Sequence, residues 1–369
     1  MRALCEYSWL DGSQPPQQLR SKSRVVTVGD GGDPALASLP EWSFDGSSTG
    51  QSSGDDSDLT LRPVRAARDP LRADGYLVLC EVLDAAGAPH PSNTRAALRR
   101  VLDAGAAEDR PWFGFEQEYT LYRDGRPLGF PDGGYPQPQG PYYCGVGVDA
   151  AYGRELVEAH TTACLDAGLM LYGINAEVMP GQWEFQVGYR GVDGESADPL
   201  TVADHLWLAR FLLHRLGERA GVSVRLDPKP VHGDWNGAGA HTNFSTAAMR
   251  DTKRGLDFIR EAIRRLSARH DSHVAGYGAG LAERLTGLHE TCSIDQFRSG
   301  VADRGASVRI PRHVESGGGG YLEDRRPGAN CDPYTVARLL LETVCDVDGT
   351  ATTAELRSGV DAAAALRAA

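Results

Sequence analysis

Five glutamates and one histidine stand in patterns that suit a hard divalent cation. Phe115-Glu116-Gln117-Glu118-Tyr119 sets two carboxylates two residues apart. On an extended strand such side chains share a face, where they repel unless a cation sits between them. The neighbours Trp112, Phe113, Phe115 and Tyr119 argue for a buried setting. Glu177 and Glu184 flank Met179-Pro180-Gly181. Proline fixes one central φ and glycine permits a positive one, so Ile174–Gly188 reads as a β-hairpin with one carboxylate per arm. Neighbouring strands run ~5 Å apart, close enough for both carboxylates to reach one cation. A third stretch runs from the glycine-rich Asn236–Ala240 into a strand carrying His241, Asn243 and Ser245 on one face, with Thr242 and Phe244 on the other. Glu323 lies in a segment holding Arg298, Arg304, Arg309, Arg312, Arg325 and Arg326.

Each pattern alone also fits a plainer role: solvated glutamates, a hydrogen-bonded structural histidine, surface ion pairs. Together, Glu116, Glu118, Glu177, Glu184, His241 and Glu323 make a donor set for Mg²⁺ or Mn²⁺. Six donors are too many for one such ion with waters and substrate oxygens attached, so two or more ions are expected. The arginine segment reverses the sign of an acidic chain, and its guanidinium forks match carboxylate and phosphate. Several divalent ions beside arginines are the equipment of phosphoryl transfer. The glycine loop is neither a Walker A sequence nor a GxGxxG fingerprint.

These residues need a sizeable scaffold. With 369 residues, 41% of them hydrophobic, the chain is long enough for two domains. A net charge of −12 argues against non-specific binding to nucleic acid or membrane surfaces. No apolar run approaches the ~18–20 residues of a membrane span, and the N-terminus does not read as a secretory signal. The seven cysteines are scattered without a CxxC pair, which fits free thiols in a reducing cytoplasm. Leu4–Trp9, Val25–Val28 and the apolar run Tyr76–Leu83 read as strands of a small β-rich domain. Helical spacing covers Arg95–Ala106, Tyr152–Ala167, Val202–Ala220, Gly255–Arg269 and Asp332–Val344, and Trp112–Tyr122 reads as a strand. The expected division is 1–107, 108–345 and an Ala-rich tail, 346–369, with a peripheral helix over Thr353–Ala369.

The chain resembles the type II, eukaryotic-like glutamine synthetase family over roughly residues 5–345. The resemblance rests on EWSFDGSSTGQ (41–51), PWFGFEQEYTLY (111–122), PQGPYYCGVGVD (138–149), INAEVMPGQWEFQVG (174–188), GDWNGAGAHTNFST (233–246), RLTGLHET (284–291), DRGASVRIPR (303–312) and GYLEDRRPGANCDPY (320–334). It implies an α+β protein: an N-terminal β-grasp-like domain, and a catalytic α/β domain with a curved antiparallel sheet. It implies ATP-dependent ligation of ammonium to the γ-carboxylate of L-glutamate, with two or three Mg²⁺ or Mn²⁺ ions per site. It also implies a cytoplasmic homodecamer of two pentameric rings, each site completed by a neighbour's N-terminal domain. By motif match, Glu118, Glu177 and Glu184 hold one metal, and Glu116, His241 and Glu323 hold another. Tyr143, Trp235, Asn236, Gly237, Arg284, Arg304 and Arg325 fall at substrate positions. Trp112, Glu116, Glu184, Asn243, Phe244, Ser245, Arg304, Arg309 and Tyr321 fall at nucleotide positions. Asp45 matches the ammonium-binding carboxylate and Glu290 the flap residue; with Arg304 they are the implied catalytic group.

Four places depart from the family pattern. Leu288 replaces a usual basic residue, Asp303 a usual asparagine, Gly317–Gly320 a stretch that often carries lysine, and the loop SSGDDSD more frequent forms with glutamate. Leu288 and Asp303 change charge beside Glu290 and Arg304. A ligase for another amine or carboxylate is therefore the alternative expectation. A non-catalytic structural homologue is a further one, which the intact ligand set and Asp45 disfavour.

Overall fold

The computed structural model describes residues 2–29, 36–188 and 196–347. The predicted tail helix at Thr353–Ala369 lies outside them. The smaller sheet contains β1 (Arg2–Leu10), β2 (Leu19–Thr27), β3 (Trp42–Asp45), β4 (Asp58–Arg68) and β5 (Gly75–Leu83), in the order β2-β1-β5-β4-β3. β5 is buried at every position because it runs between β1, parallel to it, and β4, antiparallel. A strand buried on both faces needs a continuous apolar run, and YLVLCEVL supplies one. β2 begins well before the expected Val25. Its LRSKSR half is polar, but as an edge strand it is held by backbone pairing along all of β1.

Helix α1 (Thr94–Asp103) follows, capped by the Asn93 side chain, which accepts a hydrogen bond from Ala96 N–H. The larger part then runs β6 (Trp112–Arg123), β7 (Arg126–Pro127), α2 (Arg154–Asp166), β8 (Leu171–Ala176), β9 (Gln182–Gly188), α3 (Pro199–Ala220), β10 (Ser223–Arg225) and β11 (Ala240–Ser245). It continues through α4 (Gly255–Ala268), α5 (His270–Gly276), α6 (Leu281–Arg284), β12 (Ser299–Val301), β13 (Val308–Ile310), α7 (Arg312–Gly317), β14 (Leu322–Asp324) and α8 (Pro333–Val344). The second sheet has the order β12-β13-β14-β11-β6-β9-β8, with β7 and β10 also pairing with β6. It is antiparallel except at β12–β13, which run parallel.

Strand β6 organises this sheet. Phe113, Phe115, Gln117, Tyr119 and Leu121 point to the core, and α3 packs behind them with most of its length buried. Asp198 caps α3, Pro199 occupies its first turn, and Gly221 ends it at φ 61°. The opposite face of β6 carries Glu116 and Glu118.

The expected hairpin is present, with Gly181 at φ 72°. A side chain there would also strike Leu128 O at 2.7 Å. Only one carboxylate sits on an arm, however. Glu184 is in β9, whereas Glu177 is the first residue beyond β8, where its N–H donates to Gln182 O at 2.9 Å. The Gly317–Gly320 departure also has a steric reason. The chain there runs against residues 249–252, with Gly320 N–H donating to Met249 O at 2.8 Å, and a Cβ on Gly319 would lie 2.4 Å from Asp251 O.

The two sheets are tied together at one buried carboxylate. Asp204 of α3 is fully buried and accepts hydrogen bonds from Arg65 of β4 at 3.0 Å, Arg95 of α1 at 2.8 Å and the Tyr334 hydroxyl of α8 at 2.6 Å. Removing one partner of a buried ionic cluster strands the remainder without compensation. Asp204→Ala is expected to lower unfolding free energy by about 3–5 kcal/mol, read by denaturant titration. A change within about 0.5 kcal/mol, typical of a surface substitution, would refute this role.

Candidate active site

The sheet register alone assembles the acidic residues. Across β14, β11, β6, β9 and β8 the paired positions are Glu323 with Asn243, His241 with Glu116, Glu118 with Glu184, and Glu184 with Asn175. Period-two alternation keeps these side chains on the face turned away from α3. Two groups of three result: Glu116, His241 and Glu323, and Glu118, Glu177 and Glu184, each with ligand atoms within 4.8 Å of one another. His241 joins them, its Nδ1 3.6 Å from Glu116 and 3.7 Å from Glu323, and its Nε2 3.8 Å from Glu118.

Neighbouring groups fix each carboxylate. Gly239 N–H donates to Glu118 at 2.8 Å, Asn243 to Glu116 at 2.9 Å, Gln186 to Glu184 at 2.6 Å and Asn175 to Glu177 at 2.9 Å. Asn175 and Gln186 escaped the sequence reading. Their signal was there: each lies two residues from a glutamate, the spacing that already linked Glu116 to Glu118.

Charge repulsion and burial leave a clear electrostatic mark. Burial, reinforced by the charge on Glu116 and Glu118, raises the Glu184 carboxyl to about 9. Burial and then Glu118 raise Glu177 to about 8. Burial raises Glu118 to about 7, against the opposing pull of Arg284 and the Gly239 N–H. Burial, with Arg325 beside it, pushes His241 well below the usual imidazole range and keeps the ring neutral. Carboxyls forced to hold protons, next to a neutral imidazole, form a site short of positive charge. Five carboxylates and one imidazole fit Mg²⁺ or Mn²⁺.

Arginines close one side. Arg309 donates to Glu323 at 2.5 Å, and Arg325 to the other Glu323 oxygen at 2.6 Å. Arg325 also donates to the backbone carbonyls of Arg304 at 2.9 Å and Glu290 at 3.4 Å. Arg284 is buried between His241 Nε2, at 3.0 Å, and the carbonyls of Arg325 and Arg326, and burial lowers it to about 10. His289 and Glu290 both adopt positive φ, 52° and 59°. For residues other than glycine this conformation is uncommon and strained. A small cavity lies among Glu118, Glu177, Asn236, Gly237, Arg284 and Glu290.

The remaining predicted residues sit at varied distances from this centre. Tyr143 is exposed; burial of its hydroxyl and the charges of Cys144 and Glu177 raise it, while Arg304 pulls it down. Trp112 lies at the end of β6 under the Arg250 guanidinium, 3.8 Å from the ring, and Arg250 donates to Ser245 at 2.9 Å. Arg250 was not singled out from sequence. Tyr321 stands near Glu116, Glu323 and Arg309. Phe244 turns its side chain into the core against Phe113, away from the acidic face. Trp235 packs with Tyr142, Met179 and Val231 beneath its loop. Asp45 stays apart. It is exposed, and hydrogen bonds from the Ser47 and Ser48 hydroxyls hold its carboxyl at about 2. Of the departures, Leu288 is exposed, and Asp303 is bonded by Gly305 N–H at 2.9 Å and lies 3.5 Å from Arg298.

Residues 3–85 match the family described as glutamine synthetase, beta-Grasp domain, and residues 91–291 the one described as glutamine synthetase, catalytic domain. Glutamine synthetase of Streptomyces viridochromogenes is 57% identical over 347 residues, spanning 94% of this chain and 97% of the relative. The Homo sapiens glutamine synthetase is 52% identical over 343 residues, spanning 91% and 88%. A solved structure titled GmaS/ADP complex, conformation 1, superposes with a TM-score of 0.70 over 92% of this chain and 78% of its own, at 23% identity, a likeness of fold.

The protonated carboxyls set a pH dependence. With no cation, Glu118, Glu177 and Glu184 have folded values above the ordinary 4.5. Their contribution favours the folded chain at low pH and is lost as pH rises through about 7 to 9. A divalent cation needs the ionised forms and displaces the protons. Thermal stabilisation by Mn²⁺ or Mg²⁺ is therefore expected to be larger at about pH 8.5 than at about pH 6.5, with proton release in calorimetry. A shift independent of pH would count against this donor set.

Proposed function

Because the chain belongs to the glutamine synthetase family, we propose that it makes L-glutamine from L-glutamate, ammonium and ATP, releasing ADP and phosphate. The observation that carries this reading is the pair of acidic trios faced by Arg304, Arg309 and Arg325. A carboxylate is a poor acyl donor because oxide is a poor leaving group. In the proposed reaction a γ-carboxylate oxygen of glutamate attacks the γ-phosphorus of ATP, and the bond to ADP breaks. The resulting γ-glutamyl phosphate can lose phosphate. Ammonium gives up a proton, its nitrogen attacks the acyl carbon, and the carbon–oxygen bond to phosphate breaks.

Glu118, Glu177 and Glu184 would hold one divalent ion, and Glu116, His241 and Glu323 another. When bound, such ions neutralise phosphate oxygens during transfer. The chain's own groups have separate tasks. Arg304 and Arg309 supply positive charge toward the transferring phosphoryl group. Arg284, Arg325, Asn236 and Gly237 form the amino-acid end. Asn243, Ser245, Arg309 and Tyr321, with Trp112 under Arg250, form the nucleotide end. Glu290, at the strained tip of its loop, closes the cleft against water that would hydrolyse the acyl phosphate. Asp45 binds ammonium and receives its proton, with Tyr143 and Glu177 beside the nitrogen.

Among the described residues the Asp45 side chain is bonded only by Ser47 and Ser48 of its own loop. This supports a site completed by the N-terminal domain of another copy, in a homodecamer of two stacked rings. The seven free cysteines fit the cytoplasm. Relatives 50–57% identical are all named glutamine synthetase, which favours ammonium over another amine. Asp303 is held by Arg298 and its own loop, so its extra charge has a local use.

Two measurements test this reading. Phosphate release with ATP and glutamate is expected to be fastest with ammonium among methylamine, hydroxylamine, ethanolamine and polyamines, and to fall at least about a hundredfold in Glu184→Ala. Release with another amine and none with ammonium would sink it. For the shared site, Asp45→Ala and Glu184→Ala chains, each inactive alone, are expected to regain up to about a quarter of wild-type activity when co-assembled at random, the share of sites receiving both intact residues. No recovery in verified mixed assemblies would place both residues in one chain's site.

A further inference from the structure

A cleft of about 480 Å³ lies on another face of α3, and no residue of the acidic trios lines it. That volume suits a small organic ligand. Trp207, Arg210, Phe211, His214 and Arg215 of α3 form one wall, a run whose spacing places it on one side of the helix. The opposite wall is the end of the β1–β2 connection and the start of β2, residues 16–21. The cleft therefore sits at the seam between the two sheets.

Two arginines and a histidine of α3 line it. Arg210 is 1% exposed, yet its hydrogen bonds go to neutral oxygens: Gln117 Oε1 at 2.9 Å, Cys331 O at 2.9 Å and Ala329 O at 3.2 Å. No carboxylate among the described residues bonds it directly; the Asp332 charge acts on it from nearby, and its guanidinium lies 4.6 Å from the Trp207 ring centre. Arg215 lies between two carboxylates, with Nη1 3.7 Å from the buried Glu6 and Nε 3.1 Å from Glu218, yet that buried Nε has no aligned acceptor among the described residues. The His214 ring has no hydrogen-bond partner among the described residues, and burial, with Arg210 nearby, favours its neutral form. The cleft's two carboxylates, Glu218 and Asp227, are more than half exposed, so they stand at its rim. Trp207, Phe211 and Leu19 supply apolar surface between.

We propose that this cleft binds a small organic carboxylate with an apolar body, and that its occupancy is felt at the acidic trios through Arg210. The carboxylate faces His214 and Arg215, and the body lies on Trp207 and Phe211. The inward link is short. Gln117, which accepts from Arg210, stands between Glu116 and Glu118 in β6 and donates to the carbonyls of Glu118 at 2.7 Å and Ala329 at 3.0 Å. A ligand that draws on the Arg210 charge alters the clamp on the strand bearing two cation donors. Linkage then requires the cation and the ligand to alter each other's affinity by the same factor.

The test uses the full-length assembled protein without ATP, glutamate or ammonium, so loss of the ligase reading would leave its outcome intact. The probes are 3-phenylpropionate and its neutral amide, followed by calorimetry and tryptophan emission. The acid is expected to bind at least about tenfold more tightly than the amide, because charged acceptors make the stronger hydrogen bonds. His214→Asn and Arg215→Gln, folded by thermal melt, are expected to weaken the acid by about fivefold or more. Saturation with the acid is expected to shift the Mn²⁺ dissociation constant by at least about threefold in wild type. Equal binding of acid and amide, no binding up to about 10 mM, or displacement of the acid by ADP or glutamate would overturn the site. Tight binding with an unchanged Mn²⁺ constant would overturn the link.

Discussion

Like charges crowded on one buried face of a sheet are the constraint behind this molecule. Glu118 and Glu184 are direct cross-strand partners, Glu116 stands two residues from Glu118, and Glu177 lies at the adjoining turn. Opposed like charges destabilise a sheet, and burial makes the repulsion worse. The fold answers with structure on every side. Backbone and amide donors hold four of the carboxylates, Arg309 and Arg325 hold Glu323, and a mainly apolar layer, with Gln117 and Arg210 in it, braces the back of β6. Helix α3 supplies most of that layer. Its length and burial are the counterpart of an acidic face that would otherwise push the strands apart.

Much of this was legible from spacing alone. Period-two placement of Glu116 and Glu118, and of His241, Asn243 and Ser245, foretold a shared face, and the Pro180-Gly181 turn foretold the hairpin. Those signals are local, and backbone geometry enforces them within a few residues. What escaped depends on contacts between distant segments. Nothing near Arg210 in sequence shows that its fork would enclose Gln117 and the 329–331 loop. Nothing near Asp204 shows that it would gather Arg65, Arg95 and Tyr334 from three elements. The polar start of β2 was missed because an edge strand draws its stability from pairing more than from its own residues. The short strands β12, β13 and β14 were missed for a similar reason: three residues carry no period to detect.

The resemblance reached further than periodicity could, because it assigned roles to residues with no local signature. Asp45 is the clearest case. In its own chain it is an exposed carboxylate satisfied by two serines, and no contact among the described residues distinguishes it from a loop-capping aspartate. Its proposed role depends on a second copy. Trp235 and Phe244 are the converse. The resemblance implies ligand contacts for them, while in the structure their side chains are packed into apolar clusters.

Arg325 makes one guanidinium answer to three masters: the Glu323 carboxylate, the Arg304 carbonyl and the Glu290 carbonyl. The loops at residues 290 and 304 and the trio of Glu116, His241 and Glu323 thus share a single anchor. The Arg325 Nε, Nη1 and Nη2 each serve a different one, so a displacement of this side chain disturbs all three together.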